Sequence, residues 1–146
     1  MTAPEQNTGL LFFYPYRALE TRVLTALAAA GFDVTLAQAR VLQRVGPDGS
    51  RLTDLAAQAQ VTKQTAGFLV DQLAQRGYVE RVPDPRDGRA RLVRLARRGR
   101  EAADLAAPVV AEVEAEWTAH VGEEAMTALR RTLTRLREIT DPWVGR

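Results

Sequence analysis

The stretch that decides the fold is TDLAAQAQVTKQTAGFLVDQLAQRGYVERVPDPRDGRARLVRL, residues 53–95. Thr53 is placed to cap a short helix, and Thr62 is placed to cap a longer one whose apolar residues recur at helical spacing. Two helices joined by about three residues, with alanines where they cross, are typical of a helix-turn-helix. The residues that follow predict strands at 78–82 and 89–95, separated by a loop rich in Pro, Asp and Gly. A helix-turn-helix followed directly by a basic hairpin is a winged helix-turn-helix.

Apolar periodicity predicts further helices on both sides of this unit. Residues 10–30 form one helix, and Thr35 with Gln38 forms a capping box at the start of a second. Residues 100–121 and 123–140 form two more. The predicted fold is therefore mainly α with one small β-hairpin, in the order α-α-α-α-β-β-α-α.

The positive charge of the chain is concentrated in the hairpin. The whole chain has 20 basic and 18 acidic residues, a net charge of +2. Residues 81–100 hold eight arginines against two aspartates, a local charge of +6, whereas residues 101–146 hold nine acids and five bases, a local charge of −4. A polyanion responds to such a local field more than to the net charge. The hairpin therefore indicates contact with nucleic acid.

The composition excludes several other classes of protein. The chain has no Cys and one His, which excludes disulfides, thiolate nucleophiles and Cys/His zinc sites. Ser50 and His120, the single Ser and the single His, are seventy positions apart, so a Ser-His-Asp hydrolase is not expected. No apolar run is long enough to span a bilayer, and no secretory signal is recognisable. We expect a cytoplasmic protein that is not an enzyme, has no catalytic residues and needs neither a cofactor nor a metal.

Residues 87–96, DGRARLVRLA, form a motif that carries a family resemblance. They are similar to the wing signature of the MarR family of bacterial transcription regulators, Asp-x-Arg-x-x-x-Val-x-Leu-Thr, and depart from it only at Ala96. Residues 62–64 and 73–81 also look like the family's recognition helix and its exit, and the similarity extends over residues 10–140. The resemblance implies a homodimer that binds a pseudo-palindromic site in double-stranded DNA.

Two residues depart from the family pattern, and the resemblance also divides the chain into regions with different roles. Ala96 removes the side-chain cap of the helix that follows, a loss of about 1 kcal/mol. Gln60 stands where the family often has Gly, and a left-handed conformation there costs about 1 kcal/mol. The expected division is a disordered tail at 1–9, a winged helix-turn-helix DNA-binding domain at 35–99, and a helical dimerisation region at 10–34 and 100–146.

A winged helix-turn-helix suggests how individual residues contact DNA. Helix 62–76 enters the major groove, where Gln64 can pair with adenine and Lys63 can reach guanine or a phosphate. The wing, residues 83–90, enters the minor groove. Arg89 is the first candidate for the arginine that inserts there, and Arg86 is the alternative. The expected DNA-contacting residues are Thr62, Lys63, Gln64, Thr65, Gly67, Phe68, Arg86, Arg89 and Arg91. Asp84 and Asp87 are expected to hold the shape of the wing, Asp87 by pairing with an arginine. Phe68 has two interpretations, contact with thymine methyl groups and packing against the wing.

The family resemblance also implies regulation by a small molecule. Family members commonly release DNA when a small, often aromatic, compound binds between the dimerisation region and the DNA-binding lobe. The chain is therefore expected to be a repressor that responds to a small aromatic effector. The candidate pocket residues are Phe12, Tyr16, Phe32, Trp117 and His120. Each of them also fits an ordinary core or interface position.

Two other functions stay open at this point. In a winged-helix protein-interaction module that has lost DNA binding, the wing is expected to be neutral or acidic. The local charge of +6 in the hairpin argues against this function. A non-specific architectural DNA binder differs from a regulator in the ratio of its affinity for a particular site to its affinity for other DNA. An enzyme is less favoured, because Glu112 and Glu116 lie i,i+4 on a polar helix face and no His or Asp is placed to complete a metal site with them.

Overall fold

The computed structural model describes residues 5–141, which form six helices and one two-stranded antiparallel sheet. In chain order these elements are α1 (Thr8–Ala29), α2 (Leu36–Leu42), α3 (Leu52–Gln58), α4 (Lys63–Gln75), β1 (Val79–Asp84), β2 (Asp87–Leu95), α5 (Arg97–Val121) and α6 (Glu123–Thr140). The predicted fold class and the predicted order of elements are confirmed. The chain divides into an N-terminal unit that ends at Val109 and a C-terminal unit that begins at Val110, and α5 runs from the first into the second.

Side-chain caps fix the starts of α2 and α4 where the sequence predicts them. Thr35 Oγ1 accepts a hydrogen bond from the Gln38 N–H (3.2 Å), and Gln38 Oε1 accepts one from the Thr35 N–H (3.1 Å), which completes the capping box. Thr62 Oγ1 accepts from the Thr65 N–H at 3.1 Å. Between α3 and α4, Gln60 has a φ of 59°, so this turn does contain a left-handed residue other than Gly.

Three predicted helix starts are wrong because other groups begin those helices. Asn7 Oδ1 caps α1, so the helix begins at Thr8, and residues 8 and 9 are not part of a tail; residues 1–4 of the expected tail lie outside the described chain. α3 begins at Leu52 with Arg51 as its N-cap, which places Thr53 inside the first turn. α5 begins at Arg97 rather than at residue 100, although Ala96 cannot cap it.

Backbone hydrogen bonds explain the early start of α5. The Ala96 N–H donates to the carbonyl of Tyr78 at 3.0 Å, and the Ala96 carbonyl accepts from the Arg100 N–H, also at 3.0 Å. Ala96 is therefore the single residue between the end of β2 and the start of α5, and it is hydrogen-bonded to both sides. The position of α5 is set by main-chain geometry, and the missing threonine hydroxyl does not delay the helix.

The core of the N-terminal unit forms around α4, which packs against α2, α3 and β1. Ala56 and Ala66 are 5% and 0% exposed, which confirms the predicted small residues at the crossing of α3 and α4. Leu55, Val70 and Leu73 are fully buried beside them, and each such side chain contributes about 1.5–3 kcal/mol on burial. Because one side of α4 is committed to this core, the opposite side faces solvent.

The hairpin is longer and its turn is tighter than the sequence predicts. β1 continues to Asp84 and β2 begins at Asp87, so the expected loop at 83–88 shrinks to a turn at residues 85 and 86, with an irregularity between Pro83 and Asp84. Beyond the hairpin, Ser50 exchanges two backbone hydrogen bonds of 2.8 Å with Val93 on β2. The segment between α2 and α3 therefore holds the base of the wing.

The C-terminal unit consists of the second half of α5 and of α6, whose bounds match the predicted helix at 123–140. Val113 and Met126 are 2% and 8% exposed, and Arg130 Nη1 pairs with Glu114 Oε1 at 3.2 Å. Leu129, Leu133 and Ile139 stay exposed on α6. Over residues 5–141, no helix combines the length and the apolar character that crossing a membrane requires.

Gly99 allows α5 to begin directly against the end of the sheet. A methyl group built on Gly99 would collide with the carbonyl oxygen of Tyr78. That oxygen cannot retreat freely, because it accepts the hydrogen bond from Ala96 N–H. The close approach of the two backbones therefore requires glycine at this position.

We expect Gly99→Ala to lower the free energy of unfolding by about 1–3 kcal/mol, since inserting a methyl group into a packed site forces the backbone to shift. Urea denaturation followed by circular dichroism measures this loss. Gly88→Ala is the matched control, because a methyl group there meets nothing within 4 Å. Equal stabilities of the two variants would contradict the steric role of Gly99.

Candidate nucleic-acid interface

The exposed side of α4 carries the polar and aromatic residues of the predicted recognition helix. Ala66, Leu69, Val70 and Leu73 fill the core on the other side of the helix. Gly67 is half-buried near Leu52. The exposed residues of α4 before its last turn are Lys63, Gln64, Thr65, Phe68 and Asp71. The structure therefore places the sequence-predicted contact residues of α4 on or beside one accessible surface.

The first turn of α4 presents free polar groups. Thr62 Oγ1 is occupied by the Thr65 N–H (3.1 Å) and by the Thr65 hydroxyl (2.9 Å). Within the described chain, the Lys63 ammonium and the Gln64 side-chain amide have no intramolecular partner. Backbone N–H groups at the start of a helix favour anions. The backbone N–H groups of this turn can therefore bind a phosphate, while the Gln64 side chain stays available for a different contact.

Phe68 lies in solvent. Its side chain is 62% exposed, so most of the ring is not covered by the rest of the described chain. Of the two interpretations of this residue, burial against the wing is the less favoured. The ring projects from the same face as Gln64, four residues earlier.

Salt bridges divide the hairpin arginines into engaged and available groups. Arg81 Nη2 pairs with Asp71 Oδ1, and Arg94 Nη2 pairs with Glu80 Oε1, both at 2.6 Å. Arg89 and Arg91 are exposed, and their guanidinium groups have no partner among the described residues. The hairpin therefore keeps its free positive charge near the wing tip, and two of its strand arginines are already compensated.

Asp84 anchors the wing to the helix-turn-helix. Its carboxylate is buried, with Oδ2 accepting from Arg51 Nη2 (2.9 Å) and Nε (3.2 Å) and Oδ1 accepting from the Arg86 N–H (2.9 Å). The Arg86 N–H and the Arg51 guanidinium lower the pKa of Asp84 below its usual 3.8, against the opposing effect of burial. Since Arg51 is the N-cap residue of α3, this contact fixes the wing relative to both helices of the motif.

Asp87 has a different role from the one expected. Its Oδ1 accepts from the backbone N–H of Arg89 at 3.1 Å, and the side chain is exposed. The pairing with an arginine side chain that the sequence suggests for Asp87 is made by Asp84 instead. Sequence reasoning missed Arg51 as the partner, because the two residues are 33 positions apart and no spacing rule connects them.

The far end of α4 is held by Tyr78 and Asp33. The buried Tyr78 hydroxyl donates to Asp33 Oδ1 (2.8 Å) and accepts from the Asp33 N–H (3.1 Å). The Arg98 guanidinium carbon lies 4.8 Å from the centroid of the Tyr78 ring. Burial and the hydrogen bond to Asp33 raise the pKa of Tyr78. These contacts join the segment before α2 to the start of α5.

The five candidate pocket residues are divided between the two units. Phe12 and Tyr16 are exposed on α1, and Phe32 packs against the core with its ring centroid 6.4 Å from that of Tyr78. In the C-terminal unit, Trp117 is half-buried and His120 is exposed on α5. Of the five, Phe32 thus occupies an ordinary core position.

A buried carboxylate next to Tyr16 gave no signal in the sequence. The Glu20 side chain is 9% exposed and accepts from Arg40 Nε (2.9 Å) and Nη2 (3.1 Å). Hydrogen bonds from Arg40, Tyr16 and Arg17 lower the pKa of Glu20, although burial opposes them. This cluster ties α1 to α2.

Comparisons with known proteins identify one matching family model and several solved structures of similar fold. The model of the MarR family matches residues 32–90. MarR from E. coli in its apo form is 22% identical, with a TM-score of 0.70, and the match covers 90% of this chain and 98% of that one. CouR from Rhodococcus jostii RHA1, bound to p-coumaroyl-CoA, is 24% identical, with a TM-score of 0.75 and full coverage of both chains. NadR in complex with 4-hydroxyphenylacetate is 21% identical, with a TM-score of 0.74, covering 95% of this chain and 98% of that one.

A search of the curated proteins found no match. The order of helices and the two-stranded wing define a winged-helix protein with the fold of transcription regulators. The family model thus covers the helix-turn-helix and most of the hairpin, and this part of the chain is similar to the MarR family.

We expect Asp84→Asn to destabilise the protein at pH 7, because it removes the charge that pairs with Arg51. A carboxyl whose pKa is lowered by folding stabilises above its unfolded-state value and loses this contribution as the pH falls through its folded-state value. The stability difference from wild type should therefore shrink below about pH 4. Urea titrations at a series of pH values measure it.

Asp87→Asn is the matched control for this experiment. It removes an equal charge from the same turn, and its amide oxygen can still accept from the Arg89 N–H. We expect its stability at pH 7 to equal that of wild type. Identical pH profiles for the two variants would show that the contact with Arg51 does not anchor the wing.

Proposed function

We propose that the protein is a dimeric, sequence-specific DNA-binding transcription regulator, and that it acts as a ligand-responsive repressor. Residues 62–76 would lie in the major groove and the wing, residues 83–90, in the minor groove. The observation that carries the proposal is the combination of α4, whose polar first turn is exposed, with a wing whose tip holds arginines that have no intramolecular partner within residues 5–141. Such a regulator acts on chromosomal DNA, so the proposal includes a cytoplasmic location, and it assigns the chain no catalytic step.

The first turn of α4 supports base recognition. Gln64 has a free amide that matches the N6 and N7 groups of adenine, and Lys63 matches guanine or a phosphate. The Thr62 and Thr65 hydroxyls cap the helix and lie beside backbone N–H groups that favour a phosphate. These residues sit at the end of the helix that enters the groove in helix-turn-helix proteins.

The contacts of the wing favour Arg89 over Arg86 for the minor groove. The positive charge of Arg86 acts on Asp84 and helps to lower the pKa of that carboxyl. Arg89 has no such partner within the described chain, so its whole charge is available to the negative potential of a narrow groove. Arg91 is free in the same way and is assigned to a phosphate.

Exposed apolar side chains support the proposal that the chain dimerises. On α1 they are Leu10, Leu11, Phe12, Phe13, Tyr14 and Tyr16, each 41–55% exposed. Leu129, Leu133 and Ile139 on α6 add a second exposed set. Apolar side chains this concentrated on a surface mark an interaction site. We assign residues 10–34 and 100–146 to dimerisation and residues 35–99 to DNA binding, which gives two reading units for a pseudo-palindromic site.

The relatives support regulation by a small aromatic effector. The NadR structure contains 4-hydroxyphenylacetate, and the CouR structure contains p-coumaroyl-CoA. An effector acts as a switch only if it binds one conformation better than the other. We propose Phe12 and Tyr16 in the N-terminal unit and, separately, Trp117 and His120 in the C-terminal unit as candidate effector contacts, and we leave out Phe32 because its ring packs against Tyr78.

We expect the protein to bind a duplex selected from a random pool at least roughly a thousandfold more tightly than a shuffled duplex, with two chains per selected duplex. Fluorescence anisotropy at ~150 mM salt measures both affinities. Arg89→Ala should weaken binding to the selected duplex by about tenfold or more. Arg94→Ala, with the same change of charge in the same hairpin, should weaken it less, because Arg94 is already paired with Glu80.

Three results would contradict the proposal. Equal affinity for the two duplexes would indicate an architectural DNA binder. Failure to bind or to select any DNA would favour a protein-interaction module. Equal losses in the two arginine variants would remove the special role assigned to Arg89.

A further inference from the structure

An exposed aromatic side chain stands on the surface of α4 that the proposed function turns toward DNA. Phe68 is 62% exposed, more than Phe12, Phe13, Tyr14 or Tyr16 on α1. Phe68 does not contribute to the core, because the core-facing residues of α4 lie on the opposite side of the helix. Folding therefore does not account for an aromatic residue here.

The neighbours of Phe68 on α4 leave most of its ring exposed. Gly67 has no side chain to cover it. Asp71, one turn later, is drawn to the hairpin by its 2.6 Å salt bridge with Arg81, which also compensates its negative charge. Gln64, one turn earlier, is exposed and has no intramolecular partner within residues 5–141. The surface thus presents one amide and one phenyl ring, without an uncompensated carboxylate.

A phenyl ring can discriminate between bases only by apolar contact, because it has no hydrogen-bond donor or acceptor. In the major groove, the C5-methyl group of thymine is the apolar group on the base edges. We propose that Phe68 is a specificity-determining residue that contacts thymine methyl groups, and this inference rests on the proposed function. The operator half-site then contains a thymine that this protein requires for its methyl group.

The position of the ring relative to Gln64 limits where that thymine lies. Four residues of helix advance by about 6 Å, and successive bases along a strand are about 3.4 Å apart. The methyl group therefore lies within about two base pairs of the base that Gln64 contacts. Because Gln64 is suited to adenine, the two side chains together favour neighbouring A·T pairs within each half-site.

Replacing thymine by deoxyuridine tests the inference directly, because it removes only the methyl group and keeps base pairing. The duplex is the one selected by wild-type protein, and each thymine of both half-sites is replaced in turn. We expect one position per half-site to weaken wild-type binding by about fourfold, the equivalent of one buried methyl group. Phe68→Ala should bind the thymine duplex more weakly and should lose its sensitivity to deoxyuridine at that position only.

Gln64→Ala is the matched control, since it changes the neighbouring contact and should keep the sensitivity to the methyl group. Thermal unfolding should give equal stabilities for Phe68→Ala and wild type, because the ring is exposed. The inference is overturned if wild type prefers its selected duplex but no deoxyuridine substitution weakens binding, or if Phe68→Ala keeps the wild-type sensitivity. A wild-type protein without any preference for its selected duplex would overturn the proposed function and this inference together.

Discussion

The structure of the N-terminal unit depends on the contacts of one buried residue, Tyr78. Its N–H donates to the Leu73 carbonyl at the end of α4, and its carbonyl accepts from Ala96 at the end of β2. Its hydroxyl binds Asp33, and the Arg98 guanidinium lies over its ring. One residue therefore determines where the recognition helix stops, where the hairpin closes and where α5 begins. The Tyr78 side chain is fully buried, so the end of α4, the base of the hairpin and the start of α5 meet at one packed junction.

A second constraint acts at the opposite edge of the hairpin, where Asp84 binds Arg51. Asp84 lies beside the turn at residues 85 and 86, so this anchor holds the tip of the hairpin to the helix-turn-helix, while Tyr78 holds its base. Arg94 pairs with Glu80 within the hairpin, and Arg81 pairs with Asp71 on α4. Arg89 and Arg91, which have no partner within the described chain, remain available to a polyanion. A preorganised array of this kind lowers the entropic cost of binding, which is why the geometry supports DNA recognition better than the charge alone does.

Local patterns predicted most of the fold. The capping box at Thr35, the cap at Thr62 and the apolar spacing in α6 are short-range signals, and the structure confirms each of them. Starts that depend on the main chain were not predictable in this way. Arg51 opens α3 without a side-chain cap, and α5 begins early because Ala96 is bonded to Tyr78, eighteen positions away.

The residues of the candidate site also differ in whether local sequence patterns could predict their contacts. Those on α4 and at the wing tip are recognisable from motif and charge. Which arginine is free, and which aspartate is buried, depends on partners distant in sequence: Asp71 for Arg81 and Arg51 for Asp84. The exposure of Phe68 also requires the fold, because the spacing of the sequence allows both of its interpretations.

If one protein molecule contacts both grooves of DNA, as proposed, methylation protection with dimethyl sulfate reports both contacts at once. This reagent modifies guanine N7 in the major groove and adenine N3 in the minor groove. We expect protection at both atoms, repeated in two half-sites about one helical turn apart, with the protection at adenine N3 lost selectively in Arg89→Ala. Protection confined to one groove, or an unchanged minor-groove pattern in Arg89→Ala, would show that the wing does not bind the minor groove through Arg89.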